Sequence, residues 1–416
     1  MDVCEIKNGV LEKYMTKPKG PTVIFLDSSV QKIGEYAFSE CRNVMEIILH
    51  TGLESIDDRA FANSCIKAIT IPGNIKRIGK EAFANCKGLQ YIEIPFSITE
   101  IEEGAFSGCI NLKRVVFRMH VVDNAVAFES RIRKISARIF EDCEALQEIK
   151  IPENVVEIGE YAFRHCRSLR TITIPESVVT IGKEAFSYCG ELNNIVFPKN
   201  ISQIGDGALM DCRELENVIL SCNISTVPKG MFARCLSLKN VVITPGEHTA
   251  VRRVEEDAFV YCEKLENVIF SKPLEYVGSF AFGSCKNLKH APALKTDAEI
   301  GKCAFMGCEN LDYITECPDE KGKSDRKLIY EFMLRAADNF SRDTDVLEML
   351  FSWGDYNMKF SADRANYGIY SVYGCDEDGN VRSAQPFCTG SVDEIVKYLN
   401  DKNNVDEVLP SVRNAD

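Results

Sequence analysis

The side chains that could carry metal or nucleophilic chemistry are dispersed along this chain rather than grouped. The five histidines fall in different segments, at His50, His120, His165, His248 and His290. Only four residues separate Cys303 from Cys308, and no second close pair accompanies them. Because a structural zinc site needs four ligands, the spacing predicts no zinc site.

The acidic stretch at residues 376–380, Asp-Glu-Asp-Gly-Asn, is similar in composition to a calcium-binding loop. Its glycine falls too early and no distal glutamate closes the loop, so a hairpin turn is the favoured interpretation. Cys375 and Cys388 have no histidine within residues 318–416 to activate them. No glycine-rich phosphate loop or His-Glu-x-x-His motif is found either. We therefore expect no catalytic residue, no cofactor, no metal and no enzymatic activity.

The charge balance narrows the class of partner. The chain has 62 acidic and 49 basic residues, for a formal net charge of −13. A nucleic acid partner would require a face rich in Lys and Arg, so we expect none. No run of residues approaches the roughly 18 apolar residues of a membrane span, which predicts no membrane insertion.

A repeat of 23 residues organises most of the chain. Residues 158–166 read Ile-Gly-x-x-Ala-Phe-x-x-Cys, and residues 181–189 repeat this pattern. The phenylalanine position recurs at Phe38, Phe61, Phe83, Phe106, Phe140, Phe163, Phe186, Leu209, Phe232, Phe259, Phe282 and Phe305. Eight of the eleven intervals are 23 residues, and twelve of the 18 cysteines follow this position. Such a period predicts a solenoid.

One unit combines a strand pattern with a helical pattern. Ile172 and Ile174 alternate with threonines, which predicts a short strand with one buried face, and Pro175 ends it. Phe163 and Cys166 share one face of a predicted helical turn. Stacked coils would form a parallel sheet with strands about 4.8 Å apart, and would bury columns of phenylalanine and cysteine.

These columns bear on the location of the protein. Side-by-side Cβ vectors suit disulfide bonds poorly, so we expect the repeat cysteines to be free thiols, which fits a reducing compartment. Residues 1–30 also show no export signal. We therefore expect a cytoplasmic protein; a cell-surface or secreted location is the alternative if an export signal has been trimmed.

The pattern I-G-x-x-A-F-x-x-C-x-x-L-x-x-I-x-I-P resembles the BspA-like leucine-rich repeats of bacteria over residues 24–316. The resemblance implies an α/β solenoid, a curved right-handed array of about 12 coils with a parallel sheet, used for recognition. Members of that family are often surface or secreted adhesins. Residues 1–23 are predicted to be an N-terminal cap and residues 317–326 a linker.

Residues 327–416 match no repeat and are predicted to form a small α+β domain. Helical spacing predicts helices at residues 327–340 and 343–351, and a capping box predicts another at 391–399. Strand patterns flank the hairpin turn predicted at Asp378-Gly379. The first helices are expected to cap the open end of the solenoid.

The candidate binding site comes from differences between units. The two residues that flank the central apolar residue of each strand should face outward on the concave sheet. Over four units they repeat as Asn plus an aliphatic residue: Asn194, Val196, Asn217, Ile219, Asn240, Val242, Asn267 and Ile269. Two insertions, at residues 118–134 and 244–253, are further candidates for partner contact. The alternative for the strand residues is structural, since β-branched residues suit strands and stacked asparagines can bond to each other. The alternative for the insertions is a tolerated bulge, since extra loop length costs little.

The sequence therefore predicts a recognition protein whose partner is a protein, with a glycan as an alternative. Two other functions stay open. The protein could be an effector or enzyme whose activity lies in the C-terminal domain, with the solenoid choosing the target. It could also be a structural spacer without a binding patch.

Overall fold

The computed structural model of the 416-residue chain describes residues 4–15, 22–118, 120–122, 125–128, 130–220, 223–244, 249–311, 346–353, 356–363, 370–375 and 388–390. Two compact units are present, Met1–Thr315 and Glu316–Asp416. The first is a parallel-sheet solenoid of about twelve coils. Its predicted curvature and handedness, and the predicted domain boundaries, stay predictions.

The solenoid begins with an antiparallel hairpin. Strand β1 (Cys4–Lys7) pairs with β2 (Val10–Tyr14), and Asn8 and Gly9 between them have φ values of 50° and 76°. Two residues with positive φ are what a type I′ turn requires. Strand β2 then pairs in parallel with the first short strand of the array, so the hairpin joins the repeat ladder directly.

Each coil contributes a short strand to one side, and every coil but the one that ends in Leu294–Ile300 contributes a long strand to another side. The long-strand side consists of β3 (Thr22–Phe25), β5 (Val44–Ile48), β7 (Ala68–Thr70), β9 (Tyr91–Ile94), β11 (Arg114–Phe117), β15 (Glu148–Ile149), β17 (Thr171–Thr173), β19 (Asn194–Val196), β21 (Asn217–Leu220), β23 (Asn240–Ile243) and β25 (Asn267–Phe270). The short-strand side consists of β4 (Lys32–Ile33), β6 (Ser55–Ile56), β8 (Arg77–Ile78), β10 (Glu100–Ile101), β14 (Lys134–Ile135), β16 (Glu157–Ile158), β18 (Thr180–Ile181), β20 (Gln203–Ile204), β22 (Thr226–Val227), β24 (Arg253–Val254), β26 (Leu274–Val277) and β27 (Leu294–Ile300).

Within each sheet the strands pair in parallel and in register, and the long-strand side comprises four such sheets, β3-β5-β7, β9-β11-β15, β17-β19 and β21-β23-β25. Thr171 lies opposite Asn194, and Asn217 lies opposite Asn240, so equivalent residues of successive coils form columns. The alternation along each long strand puts its central residue inside; Ile195 and Val218 are buried. Each column is therefore a single row of side chains across several coils.

The third side of each coil is made of turns, and the predicted short helical segment is wrong for the described coils. In an α-helix the Phe163 amide would donate to the carbonyl four residues earlier. Instead it donates to Ala185 O of the next coil at 2.8 Å. The amides of Tyr161 and His165 likewise donate to the next coil, at 2.8 and 2.9 Å. This turn side is thus a third ladder of hydrogen bonds between coils.

The ladder on the turn side imposes an unusual backbone. Two residues in each of the twelve coils, 24 in all, have φ between 49° and 75°, and 19 of them are not glycine. A left-handed conformation costs a non-glycine residue roughly 1–2 kcal/mol. It is retained here because it aims alternate amides at the neighbouring coil, as at Tyr161 (φ 57°) and His165 (φ 59°).

The predicted phenylalanine column fills the core. Phe38, Phe61, Phe83 and Phe106 stack with centroid separations of 5.1, 5.0 and 5.3 Å and interplanar angles of 2°, 5° and 6°. All four rings are buried. At this spacing the rings contact the coils above and below, so each coil completes the burial of its neighbours.

The cysteines beside this column are free thiols, as predicted. From Cys86 onwards, each of the repeat cysteines donates its S–H to the carbonyl oxygen of the Phe-position residue in the preceding coil; examples are Cys189 to Phe163 at 3.2 Å and Cys262 to Phe232 at 3.0 Å. Burial raises the pKa of the Cys235 thiol to about 12. These thiols therefore act as small hydrophobic groups with one weak hydrogen bond each.

The first insertion forms a second hairpin. Strands β12 (His120–Val122) and β13 (Ala125–Phe128) pair antiparallel, directly after β11. The residues on either side of this hairpin contact the solenoid. Arg118 forms an ion pair with Glu93, and the Arg131 guanidinium lies 4.8 Å from the Phe96 ring centroid. In the second insertion, residues 245–248 lie outside the described residues.

The described part of the C-terminal unit consists of an antiparallel sheet in the order β28 (Val346–Trp353), β29 (Tyr356–Asp363), β30 (Tyr370–Cys375) and β31 (Cys388–Gly390). The helix predicted at residues 343–351 is wrong, since β28 occupies most of it and pairs with β29 along its full length. The strand pairing overrides the favourable helix propensity of Leu, Met and Glu. The predicted linker, the helices at 327–340 and 391–399, and the turn at Asp378-Gly379 lie outside the described residues.

The turn geometry makes a testable prediction at Phe280, which has a φ of 54°. Phe280→Gly should be more stable than Phe280→Ala by about 0.5–1 kcal/mol, because only glycine adopts this conformation without strain. Ser279 in the same turn is the matched control; there the alanine variant should be the more stable one. Denaturant unfolding followed by circular dichroism would measure both pairs. Alanine preferred at both positions would indicate a helix and contradict the turn.

Candidate binding surface

The eight predicted site residues, which we call the Asn–aliphatic strip, occupy four neighbouring strands of the long-strand side. The strip consists of Asn194, Val196, Asn217, Ile219, Asn240, Val242, Asn267 and Ile269. The structure brings all eight together and none is buried. Exposure is greatest at the N-terminal end, where Val196 is 64% and Ile219 37% exposed; Val242 and Ile269 are half-buried.

The asparagines of the strip bond to each other over part of its length. Asn240 Nδ2 donates to Asn217 Oδ1 at 2.9 Å, and Asn267 Nδ2 donates to Asn240 Oδ1 at 2.8 Å. The structural alternative is therefore realised for three of the four amides. The Asn194 side chain makes no hydrogen bond within the described part of the chain, and Asn217 only accepts. The amides at β19 and β21 consequently keep donors for another molecule.

The strands that precede the strip carry charge. Arg114 on β11 lies 3.4 Å from Glu148 on β15, and the Tyr91 hydroxyl on β9 donates to Glu93. From β17 onwards the outward residues are threonine, asparagine, valine and isoleucine. The long-strand side thus divides into a charged part and an uncharged part.

The turn side carries a cluster that sequence reasoning missed. The Arg138 guanidinium lies 4.4 Å from the Tyr161 ring centroid, and Arg164 lies 5.3 Å from the same ring. His165 Nδ1 is 2.7 Å from Asp142 Oδ1. These positions lie about 23 residues apart, and this spacing could have predicted that they align on neighbouring coils. The helical interpretation of the turn predicted other directions for their side chains. The members pair with each other, which favours a role in holding coils together.

The described residues contain no group of three His, Cys, Asp or Glu side chains arranged to hold a metal ion. Among the same residues, no helix is long and apolar enough to cross a membrane.

A family model described as BspA type leucine rich repeat region (6 copies) matches residues 17–131, 133–250 and 248–321. The chain belongs to this family. The match spans the two parallel ladders and the turn side described above. It ends before residue 346, so the antiparallel sheet of the C-terminal unit lies beyond it.

Solved structures of bacterial repeat proteins are similar to this chain. A leucine-rich repeat protein from Bacteroides ovatus is 26% identical, with a TM-score of 0.55, covering 70% of this chain and 77% of its own. One from Eubacterium ventriosum is 24% identical, with a TM-score of 0.51, covering 75% of this chain and 91% of its own. No protein with curated function matches the chain. These similarities support the repeat fold and specify no ligand.

The direction of the hydrogen bonds between asparagines is testable with two matched substitutions. Asn240→Asp removes the donor to Asn217 and should lower the free energy of unfolding by about 1 kcal/mol. Asn217→Asp adds the same charge but keeps the acceptor that Asn240 uses, so it should cost less. Urea unfolding of both variants at neutral pH would compare them. Equal destabilisation would show that the added charge, not the hydrogen bond, dominates.

Proposed function

We propose that this chain is a non-enzymatic recognition protein that binds a protein partner through the Asn–aliphatic strip. Family membership supports a repeat protein whose surface is available for binding. The single observation that carries the proposal is the exposure of Val196 and Ile219 on adjacent strands. Aliphatic side chains exposed in a row are a feature of interaction surfaces.

The composition of the strip favours a partner over a purely structural role. Hydrogen bonds between asparagines explain Asn240 and Asn267 but leave donors at Asn194 and Asn217. A spacer would gain nothing from aliphatic exposure beside such donors. A protein partner would cover Val196 and Ile219 and supply acceptors to the amides.

The test replaces the two exposed aliphatic residues and leaves the fold intact. The double variant Val196→Lys, Ile219→Lys should fold normally, because both side chains face solvent, and should lose partner binding by at least tenfold. Val179→Lys is the matched control, since Val179 is 41% exposed and adjoins the short-strand side. Peptides selected from a phage-displayed library against the wild type, and a glycan array, would serve as probes.

The outcomes separate the candidate functions. Selected peptides that bind the wild type and the Val179 variant but not the double variant would support the proposal. Glycan binding lost in the double variant would identify a glycan-binding surface instead. Binding that survives the double substitution would refute this site and direct attention to the hairpin of β12 and β13. An absence of any binding would favour the spacer.

We also propose that the protein works in a reducing compartment such as the cytoplasm. The support is chemical: from Cys41 to Cys308, thirteen cysteines of the described residues are free thiols, and Cys303 among them is exposed. In an oxidising compartment, exposed thiols of this kind would be open to disulfide formation. Export to the cell surface stays the alternative.

Thiol alkylation would test this location. In the folded protein at pH 8, Cys303 should react with iodoacetamide, whereas buried Cys143, Cys189 and Cys235 should react only after denaturation, because burial excludes the reagent and raises their thiol pKa. Protein isolated from its native cell should show every repeat cysteine alkylated without prior reduction. Mass spectrometry that finds these cysteines paired would contradict the proposal.

A further inference from the structure

The uncharged part of the long-strand side constrains the chemistry of the partner. Resting on the proposed function, we infer that the partner presents an uncharged, proline-rich segment in the polyproline II conformation. It would lie across strands β17, β19 and β21, along the columns rather than parallel to the strands. Three properties of the surface lead to this inference: its charge, its hydrogen-bonding groups and its spacing.

The charge of the surface excludes a strongly charged segment. The six outward residues of these strands are Thr171, Thr173, Asn194, Val196, Asn217 and Ile219, and all are uncharged. The chain as a whole carries −13, so the absence of charge on this face is local. A charged segment would lose hydration here without gaining an ion pair. The complementary segment is therefore neutral.

The hydrogen-bonding groups call for a partner with free carbonyl oxygens. The Asn194 and Asn217 amides keep N–H donors that no described residue accepts. Carbonyls within a helix or an internal strand are already bonded to the backbone. A polyproline II segment has no internal hydrogen bonds, and proline supplies a carbonyl without an N–H. Such a segment can accept from the amides while its rings cover Val196 and Ile219.

The spacing of the columns matches this conformation. Thr171 and Thr173 on β17 lie in register with Asn194 and Val196 on β19, and neighbouring strands of a sheet lie about 4.8 Å apart. Three residues of polyproline II rise about 9.3 Å, close to the roughly 9.6 Å across two strand intervals. Same-face residues of an extended strand recur at about 6.8 Å. This distance matches neither one nor two strand intervals, so such residues would not align with the columns. Every third residue of the segment thus meets the outward residues of every second strand.

The experiment uses fluorescein-labelled dodecaproline as the probe, with a Gly-Ser peptide of equal length and a helical Glu-Ala-Ala-Ala-Lys repeat as controls. Fluorescence anisotropy with the full-length protein should show saturable binding of dodecaproline and at least tenfold weaker binding of both controls. Val196→Lys with Ile219→Lys should abolish this binding. Asn217→Asp should weaken it at least threefold, because it removes the donor, and Val179→Lys should leave it unchanged.

The results separate this inference from the proposed function. No dodecaproline binding up to 1 mM, or binding that the double variant retains, would overturn the polyproline II inference. If the helical peptide, a library peptide of other composition or a glycan binds instead and the double variant loses it, the surface is a binding site for another class of partner. In that case the polyproline II inference is wrong, and the Asn–aliphatic strip is still the proposed binding site.

Discussion

Hydrogen bonding between successive coils is the constraint on which the rest of this structure depends. A single coil cannot satisfy its own backbone, because its strands are only two to five residues long over most of the array and need neighbours to pair with. The coils meet this need on three sides: the long strands, the short strands and the turn side. The stacking that forms these ladders also brings the phenylalanine rings into contact at about 5 Å. Packing and hydrogen bonding therefore impose the same repeat.

The same constraint explains the chemistry of the core. On the turn side, alternate amides point at the next coil, which requires left-handed residues and places each phenylalanine between them. The carbonyl of that phenylalanine then accepts from the cysteine of the following coil, as Phe163 does from Cys189. Cysteine fits this position because its S–H is small, apolar and able to donate one weak hydrogen bond. The recurring cysteine thus has a structural role that requires no disulfide and no metal.

Columns also determine the composition of the solenoid surface. Because equivalent residues align from coil to coil, a substitution in one unit changes one position in a row, and a run of similar residues becomes a continuous strip. The Asn–aliphatic strip shows both consequences. The amides of Asn217, Asn240 and Asn267 bond along one row, and the aliphatic residues form a second row beside it. The charged residues Arg114 and Glu148 form a different surface from the same architecture. Function in such a protein depends on where the repeat varies.

The sequence by itself determined the repeat, the register and the outward residues, since a fixed period of 23 residues and an alternation of period two leave one consistent arrangement. Val196 and Ile219 are exposed where this pattern places them. Only the tertiary structure decided which partner each backbone hydrogen bond has. Phe163 and Cys166 have the spacing of a helical face, yet the Phe163 amide bonds to the next coil, a partner that no local pattern specifies. Residues 346–353 likewise form a strand because β29 pairs with them. Spacing along a chain fixes which side chains share a face, but the destination of a backbone hydrogen bond depends on which other segment lies within reach.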